Sequence, residues 1–521
     1  MELDSLPEQW DLVVIGGGIT GAGILREAVR AGLKTLLVEK RDFASGTSSR
    51  SSKLVHGGLR YLKQGKLFLT KASVEERCRL LNEAPGLVEP LGFLWPLYAG
   101  QRPGKTAMSL GLTLYDMLSG RKQHEFLDPA RFALMAPHIR QEGLKGGFRF
   151  TDAQVDDARL VQRLINEAQA AGGTAVNYVS AVQIKRRRGR RAKEVVGVEV
   201  EDTDTQKTRS FSCRAVINAT GWWAETIHPS PNPKRHLRPL RGSHLVFPYH
   251  KLPVAQAITF IHPGDGRPVF AIPWEGVVLL GTTDVDHRED VYTVPSMSRQ
   301  ERDYLLEAAR SVFPFLDLSA ADCMATFAGV RPVLSSGKKD PSKESREHVV
   351  WVNKGLVTVT GGKLTTFRRL AADALRAVAP FLTRTLNLNL SAPVFESVPQ
   401  APPRENRGLS PETWRRLYGR YGRAAEELVK GSKEKDLETA PGTHTLFAEL
   451  PWAAANESVR HLPDLLLRRT RLGILTPQGA REHLPRVRSL CQPVLGWDDE
   501  HWEKEEADYL DLWNRAYSCP T

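Results

Sequence analysis

Residues 14–23 read VIGGGITGAG, and their flanks narrow the fold more than any other part of the chain. The apolar run DLVVI at 11–15 is a short buried strand that meets Gly16, Gly17, Gly18 and Gly21 at once. Ile19, Ile24, Leu25, Ala28 and Val29 then mark a helix, closed by Gly32 as its C-cap. Residues 34–38, KTLLV, form a second strand ending in Glu39. A strand, glycine turn, helix and strand within about thirty residues, with an acid about twenty residues past the glycines, is a dinucleotide cradle. Gly16 permits the tight turn, Gly18 lets backbone approach a pyrophosphate, and Gly21 lets helix and strand pack closely. The helix start turns N–H groups and a positive dipole end toward phosphates, and Glu39 can accept hydrogen bonds from ribose hydroxyls. These residues alone do not separate NAD from FAD.

The rest of the chain sets limits. At 521 residues it exceeds one ordinary core, so two to four domains are expected. No stretch approaches the roughly 20 apolar residues of a spanning helix. Glu2 and Asp4 stand where a secretory signal would be basic, so no such signal is expected. Five cysteines, with no C-x-x-C spacing, argue against a zinc site or a disulfide framework and fit a reducing cytosol; no metal is expected. A formal charge of +12 suits nucleic acid, anionic lipid or phosphorylated substrates, though a solvated surface explains it as well. The basic turn KRRRGRR at 185–191 reads as a solvated hairpin tip, since no aromatic residues interleave as stacking platforms.

Beyond Glu39, residues 40–62 (KRDFASGTSSRSSKLVHGGLRYL) are dense in hydroxyls, glycine and basic groups. Further stretches follow in order: RFTDAQVDDARLV at 149–161, VINATGWWA at 216–224, LRGSHLVFP at 240–248 and IPWEGVVLLGTTDVD at 272–286. FAGVRPV at 327–333 and TVTGGKLTTFRRLA at 358–371 complete the series. Together they resemble the FAD-dependent glycerol-3-phosphate dehydrogenases of the D-amino-acid-oxidase-like flavoprotein superfamily, and LLLRRTRLGIL at 465–475 is similar to that family's helical end. Read on its own, 357–363 is a strand meeting Gly361 and Gly362 before a helix; the resemblance implies that the flavin lies there, where the helix's positive end and Lys363 would favour its anionic reduced form.

The resemblance implies an α/β fold: a Rossmann-type FAD-binding domain (1–89 with 141–235 and 326–390), an inserted antiparallel β-rich substrate domain (90–140 with 236–325), a Pro-rich linker (391–408) and an all-helical C-terminal domain (409–521). SPNPK at 230–234 is one candidate crossing point between domains. The substrate domain is expected to hold Pro-flanked short strands and one helix near 298–313. FAD is expected non-covalent, held by Gly16, Gly18, Gly21, Glu39, Ser51, Ser52, Lys53 and Gly362.

The implied reaction oxidises sn-glycerol 3-phosphate to dihydroxyacetone phosphate, with hydride passing from C2 to flavin N5 and electrons onward to membrane quinone. Arg60 and Arg331 would grip the phosphate, while Tyr61 and Lys363 would contact substrate oxygens. His244 is the first choice for general base because a histidine titrates near working pH; His56 is the rival. Thr282, Thr283 and Asp284 could shape the same pocket, with a turn cap the preferred reading of Asp284, and an internal carboxylate is the alternative partner for Arg331. Quinone as acceptor implies a cytoplasmic protein attached peripherally to the inner face of the membrane. The Arg-rich apolar stretches 102–122 and 465–475 are candidate contacts with anionic lipid, interior packing being the alternative. Residues 409–521 are left with three roles: capping the core, binding lipid or making a homodimer. An oxygen-using glycerol-phosphate oxidase, a flavin amine oxidase and, distantly, a basic nucleic-acid-binding protein are the competing readings.

Overall fold

The computed structural model describes residues 3–63, 65–188, 193–230, 236–335, 344, 347–383 and 385–521, the side chains of residues 60, 63, 188 and 193 excepted. The tip of the basic hairpin and most of the 230–234 crossing point therefore lie outside the described residues.

Two sheets organise the molecule. In the first, Leu356–Gly361, Thr208–Asn218, Gln9–Ile15, Thr35–Glu39 and Thr174–Asn177 run parallel in that spatial order. His348–Asn353 adds an antiparallel edge, and the hairpin Val179–Arg188/Lys193–Asp202 extends Thr208–Asn218. The central strands are apolar almost throughout because both of their faces are covered. Helix Ile19–Arg30 lies between helices Asp157–Ala170 and Phe367–Val378 on one face. Its closeness to the first strand depends on Gly21, where a Cβ would sit 1.8 Å from the Gly16 carbonyl oxygen.

The second sheet is mainly antiparallel. Its order is Val285–Asp286, Leu237–Pro248, Val277–Gly281, Pro268–Trp274, Ala257–Ile261, Val88–Tyr98, Leu144–Val155 and Leu54–Val55, with Ala325–Leu334 also paired to Leu237–Pro248. Among the described residues, only Ala257–Ile261 and Val88–Tyr98 pair in parallel in this sheet. Two expected boundaries are corrected here. Strands Leu144–Val155 and Ala325–Leu334, assigned from sequence to the cofactor domain at 141–235 and 326–390, are hydrogen-bonded into the second sheet.

Of the short strands expected in 90–140, Glu125–Leu127 is present, just before Pro129, while the rest of the region differs. Val88–Tyr98 is one long strand that keeps Pro90 and Pro96, the latter beside a register shift, where a missing N–H is tolerated. Lys105–Ser119 is a helix whose buried Met108, Leu112 and Tyr115 follow one face; Gly104, Gly111 and Gly120 mask its pattern in sequence. The helix expected near 298–313 spans Arg299–Val312, opened by a capping box of Ser298 and Glu301.

The C-terminal region is helical: Pro411–Tyr421, Ala424–Gly431, Glu449–Asn456, Leu484–Leu495 and Asp499–Ala516. Trp502, Tyr509 and Trp513 close the apolar core beneath the second sheet. The segment 391–408 is irregular yet anchored: Val394 and Phe395 are buried, and the Val394 carbonyl accepts from Arg26 Nε at 2.9 Å. Among the described residues no helix is long and apolar enough to cross a membrane.

Candidate active site

A cavity of about 1730 Å³ separates the two sheets. Its floor is the carboxyl end of the parallel strands, where Ile15, Glu39, Ala219 and Gly361 end their elements, and its opposite wall comes from Phe93, Phe150, Phe270 and Arg331 of the second sheet. The volume exceeds the roughly 300–1,000 Å³ that holds a drug-sized ligand, so a dinucleotide and a small substrate fit together.

At the floor, Gly16 has φ +110°, and a Cβ there would meet the Ala219 carbonyl oxygen at 2.7 Å. Glu39 is aimed by two amides: its carboxylate accepts from Gly17 N at 2.7 Å and Arg41 N at 2.9 Å. Burial raises its pKa, and those two N–H groups oppose the shift. Gly16, Gly18, Glu39, Ser51, Ser52 and Gly362 all line the cavity. Ser48, not anticipated from sequence, lines it too and accepts from Ile19 N at 2.9 Å. Its signal was the run of hydroxyls at 47–52, which does not say which of them faces inward.

Two predicted cofactor contacts play other parts. Gly21 packs helix on strand, as its expected job required, and does not line the cavity. Lys53 is a correction: its side chain is wholly buried and does not line the cavity. Its ammonium donates to Asp157 at 2.9 Å and to the Ser49 carbonyl at 2.6 Å, and lies over the Phe327 ring. Burial lowers its pKa to about 8, against the pull of Asp157. Asp157 also accepts from the Ser51 amide and hydroxyl at 2.9 and 2.7 Å, so it organises the loop behind the cavity.

On the opposite wall, Arg331 donates to Thr282 Oγ1 at 2.9 Å, the Thr283 carbonyl at 3.3 Å and Asp284 Oδ1 at 3.1 Å. Gly242 of the RGSH stretch makes room, since a Cβ there would sit 2.1 Å from the guanidinium. Asp284, expected as a turn cap, is instead the buried carboxylate shared by Arg331 and Arg267, the latter at 3.4 Å. Arg267 lines the cavity as a second guanidinium that sequence reading missed.

Lys363 also lines the cavity; its ammonium donates to Ser73 Oγ at 2.9 Å and lies 3.7 Å from the Tyr61 ring centre. Tyr61 and His56 line the cavity with their rings stacked 6.5 Å apart. Arg60 stands in helix Leu59–Lys63, and its side chain lies outside the described residues.

His244 is placed differently from its rival. It is buried, stacked on Phe327, and does not line the cavity. Its Nε2 lies 2.9 Å from Ser52 Oγ, and Ser52 does face the cavity. Burial, Arg331 and Lys53 hold its pKa well below the ordinary value, which corrects the expectation that this histidine titrates near working pH.

A nucleotide cradle at a switch point of a parallel sheet, roofed by an antiparallel sheet that carries cationic side chains, defines a two-layer nucleotide-dependent oxidoreductase. The chain belongs to the FAD-dependent oxidoreductase family, whose model matches residues 11–368; the model of the C-terminal domain of alpha-glycerophosphate oxidase matches residues 358–502. It is 35% identical to the aerobic glycerol-3-phosphate dehydrogenase of Staphylococcus haemolyticus, over 89% of this chain and 87% of that one. The solved glycerol-3-phosphate dehydrogenase of Bacillus halodurans, complexed with FAD, superposes with a TM-score of 0.77 at 28% identity, covering 98% and 95% of the two chains. The L-alpha-glycerophosphate oxidase of Mycoplasma pneumoniae shares the fold, with a TM-score of 0.59 at 18% identity over 75% and 100%.

The cofactor is FAD, and the residues present fit it. Gly16 and Gly18 hold open the approach for a pyrophosphate, Glu39 is aimed for a ribose, and Gly361–Lys363 close the far end of the same cavity. Among the described residues that line the cavity there is no cysteine.

Proposed function

We propose that the chain oxidises sn-glycerol 3-phosphate to dihydroxyacetone phosphate and delivers the electrons to membrane quinone while attached peripherally to the cytoplasmic face of the membrane. The observation that carries the substrate is the cationic wall facing the cradle: Arg331, held by Asp284 and the 282–283 turn, with Arg267 and Lys363 on the same cavity. FAD, when bound, would accept the C2 hydride, which carries the electron pair.

The chain's own residues do the rest. Arg331, with Arg60 beside the cavity in sequence, binds phosphate; the planar fork orients the three-carbon chain. Lys363 and Tyr61 donate to its oxygens. His244 takes the C2 hydroxyl proton over Ser52, whose hydroxyl stands between its Nε2 and the cavity. His56 is the competing base because it lines the cavity directly. Ser52→Ala and His244→Ala are expected to slow flavin reduction about 100-fold or more, each to a similar degree. His56→Ala alone producing that loss assigns the proton to His56.

Attachment is supported by the cavity rim. Leu110 lines the cavity and is 73% exposed, Met117 follows two turns later on the same helix, and Phe68, 91% exposed, begins the neighbouring one. Lys105 and Arg102 flank them, as an anionic surface requires.

A second reading has its own support: residues 358–502 match a domain named for an oxidase. Anaerobic addition of sn-glycerol 3-phosphate to the purified protein is expected to bleach the flavin, and a quinone analogue to restore it. Absence of bleaching overturns the substrate. Rapid recovery in oxygen with stoichiometric peroxide, and none with quinone, makes the protein an oxidase.

A further inference from the structure

Residues 517–520 are tied to the second sheet. Thr326 donates its amide to the Tyr517 carbonyl at 2.6 Å and its hydroxyl to the Ser518 carbonyl at 3.0 Å. The Pro520 carbonyl accepts from the Arg302 guanidinium. This lays Cys519 against Cys323, just before strand Ala325–Leu334. Both side chains are partly exposed and pack against the same apolar cluster, and the Cys323 thiol donates to the Ala325 carbonyl at 3.0 Å, on the strand that receives the segment. Cys213 and Cys491 are buried, and Cys78 sits apart on helix Leu67–Glu83.

We propose that Cys323 and Cys519 form a reversible disulfide under peroxide, fastening residues 517–520 to the edge of the second sheet. The hydrogen bond from Cys323 lowers the Cys519 pKa, with burial opposing and Arg302 assisting, while Cys323 itself is raised. Cys519 is therefore the attacking thiolate. Its sulfur attacks one oxygen of hydrogen peroxide and the O–O bond breaks. The departing hydroxide takes a proton to become water, and Cys519 is left as a sulfenic acid. The Cys323 sulfur then attacks the Cys519 sulfur. The S–S bond forms, the S–O bond breaks, and the hydroxyl leaves as water with the Cys323 proton. Two thiols lose two electrons, and peroxide is reduced to two waters. A thiol reductant reverses the step, as befits a reducing compartment.

The fastened segment touches a residue that lines the cavity. Tyr517 OH accepts from Arg50 Nη2 at 2.9 Å, and Arg50 lines the cavity. The strand that receives the segment carries Arg331 on its far half. Oxidation thus stiffens a path to two cavity arginines without altering either.

The test uses the holoenzyme. Hydrogen peroxide is added, free thiols are alkylated under denaturing conditions, and the tryptic peptides are mapped by mass. The expected result is a peptide linking Cys323 to Cys519, loss of two of the five alkylatable thiols, and full recovery with dithiothreitol. Cys519→Ser is expected to abolish the link, leave Cys323 alkylated and keep activity unchanged without peroxide. The melting midpoint of the oxidised natural chain is expected to rise and that of the variant to stay. Oxidation of Cys519 to a sulfinic acid without a link, or alkylation of both thiols after Cys78 has been oxidised, overturns the pairing. A link that forms with no rise in the midpoint overturns the fastening. The map of the natural chain decides the pairing even where the variant fails to fold.

Discussion

Residues 465–475 and 102–122 are both basic and leucine-rich, and the fold sends them to opposite places. The first is interior. Leu465–Leu467 join the core, Arg469 donates to both carboxylate oxygens of Asp42 at 2.7 Å, and Arg468 bridges Asp42 and Asp464. Arg471 completes the set on Asp156 and Asp157. Of the two readings open for 465–475, lipid contact and interior packing, the stretch packs in the interior, with its arginines buried and paired instead of solvated. Among the described residues the second stretch shows no comparable set of buried arginine–carboxylate pairs, and it leaves Leu110 and Met117 exposed. An arginine-leucine run becomes interior glue only where distant carboxylates meet it; without them it stays at the surface.

The sharpest way to break this contrast is to remove the acid. Asp42→Ala leaves Arg468 and Arg469 buried without their shared carboxylate, and is expected to cost about 3–5 kcal/mol, read from the urea midpoint. The same pair sets a pH limit. Burial works to raise the Asp42 pKa, but Arg469 and Arg468 hold it down to about 2. Its contribution to stability is thus fully present above the unfolded carboxylate range near pH 4 and is lost as pH falls through about 2. Acid denaturation curves should show this loss for the natural chain and a shallower acid limb for Asp42→Ala.

Arg331 lies between the two extremes, half-buried with one carboxylate behind it and the cavity in front. Arg331→Ala is expected to lower kcat/KM for sn-glycerol 3-phosphate about 10- to 100-fold. The melting midpoint should barely move, because Asp284 keeps Arg267. A large loss of stability with unchanged kinetics would place Arg331 with the interior arginines instead.

The smallest effect on the fold belongs to the exposed stretch. Phe68→Glu with Met117→Glu is expected to change stability by no more than about 0.5 kcal/mol. Co-sedimentation with vesicles containing anionic lipid should fall, while reduction of a soluble dye continues. Unchanged sedimentation removes this rim as the membrane contact.

What could be read from sequence follows the range of the forces involved. The cradle was legible because its glycines, helix and acid act within about thirty residues of each other. Lys53, His244 and Asp284 were not, since each is placed by a partner at least 40 residues away: Asp157, Ser52 and Arg331. A serine-rich loop shows that hydroxyls are available without showing which one turns inward, and a lysine within it reads as a ligand contact until a buried aspartate claims it. Helix Lys105–Ser119 was hidden by its own glycines, which weaken the local signal that tertiary packing overrides.

By itself the sequence determined the nucleotide-binding unit, the ordered motifs that mark the family and the helical end, because those depend on local backbone demands and short-range periodicity. Only the tertiary structure decided which strands leave one sheet for the other, which histidine faces the cavity and which arginines are buried. Those outcomes turn on charges and backbone groups brought together from opposite ends of the chain, where desolvation makes a partner's position decisive and no spacing in the sequence records it.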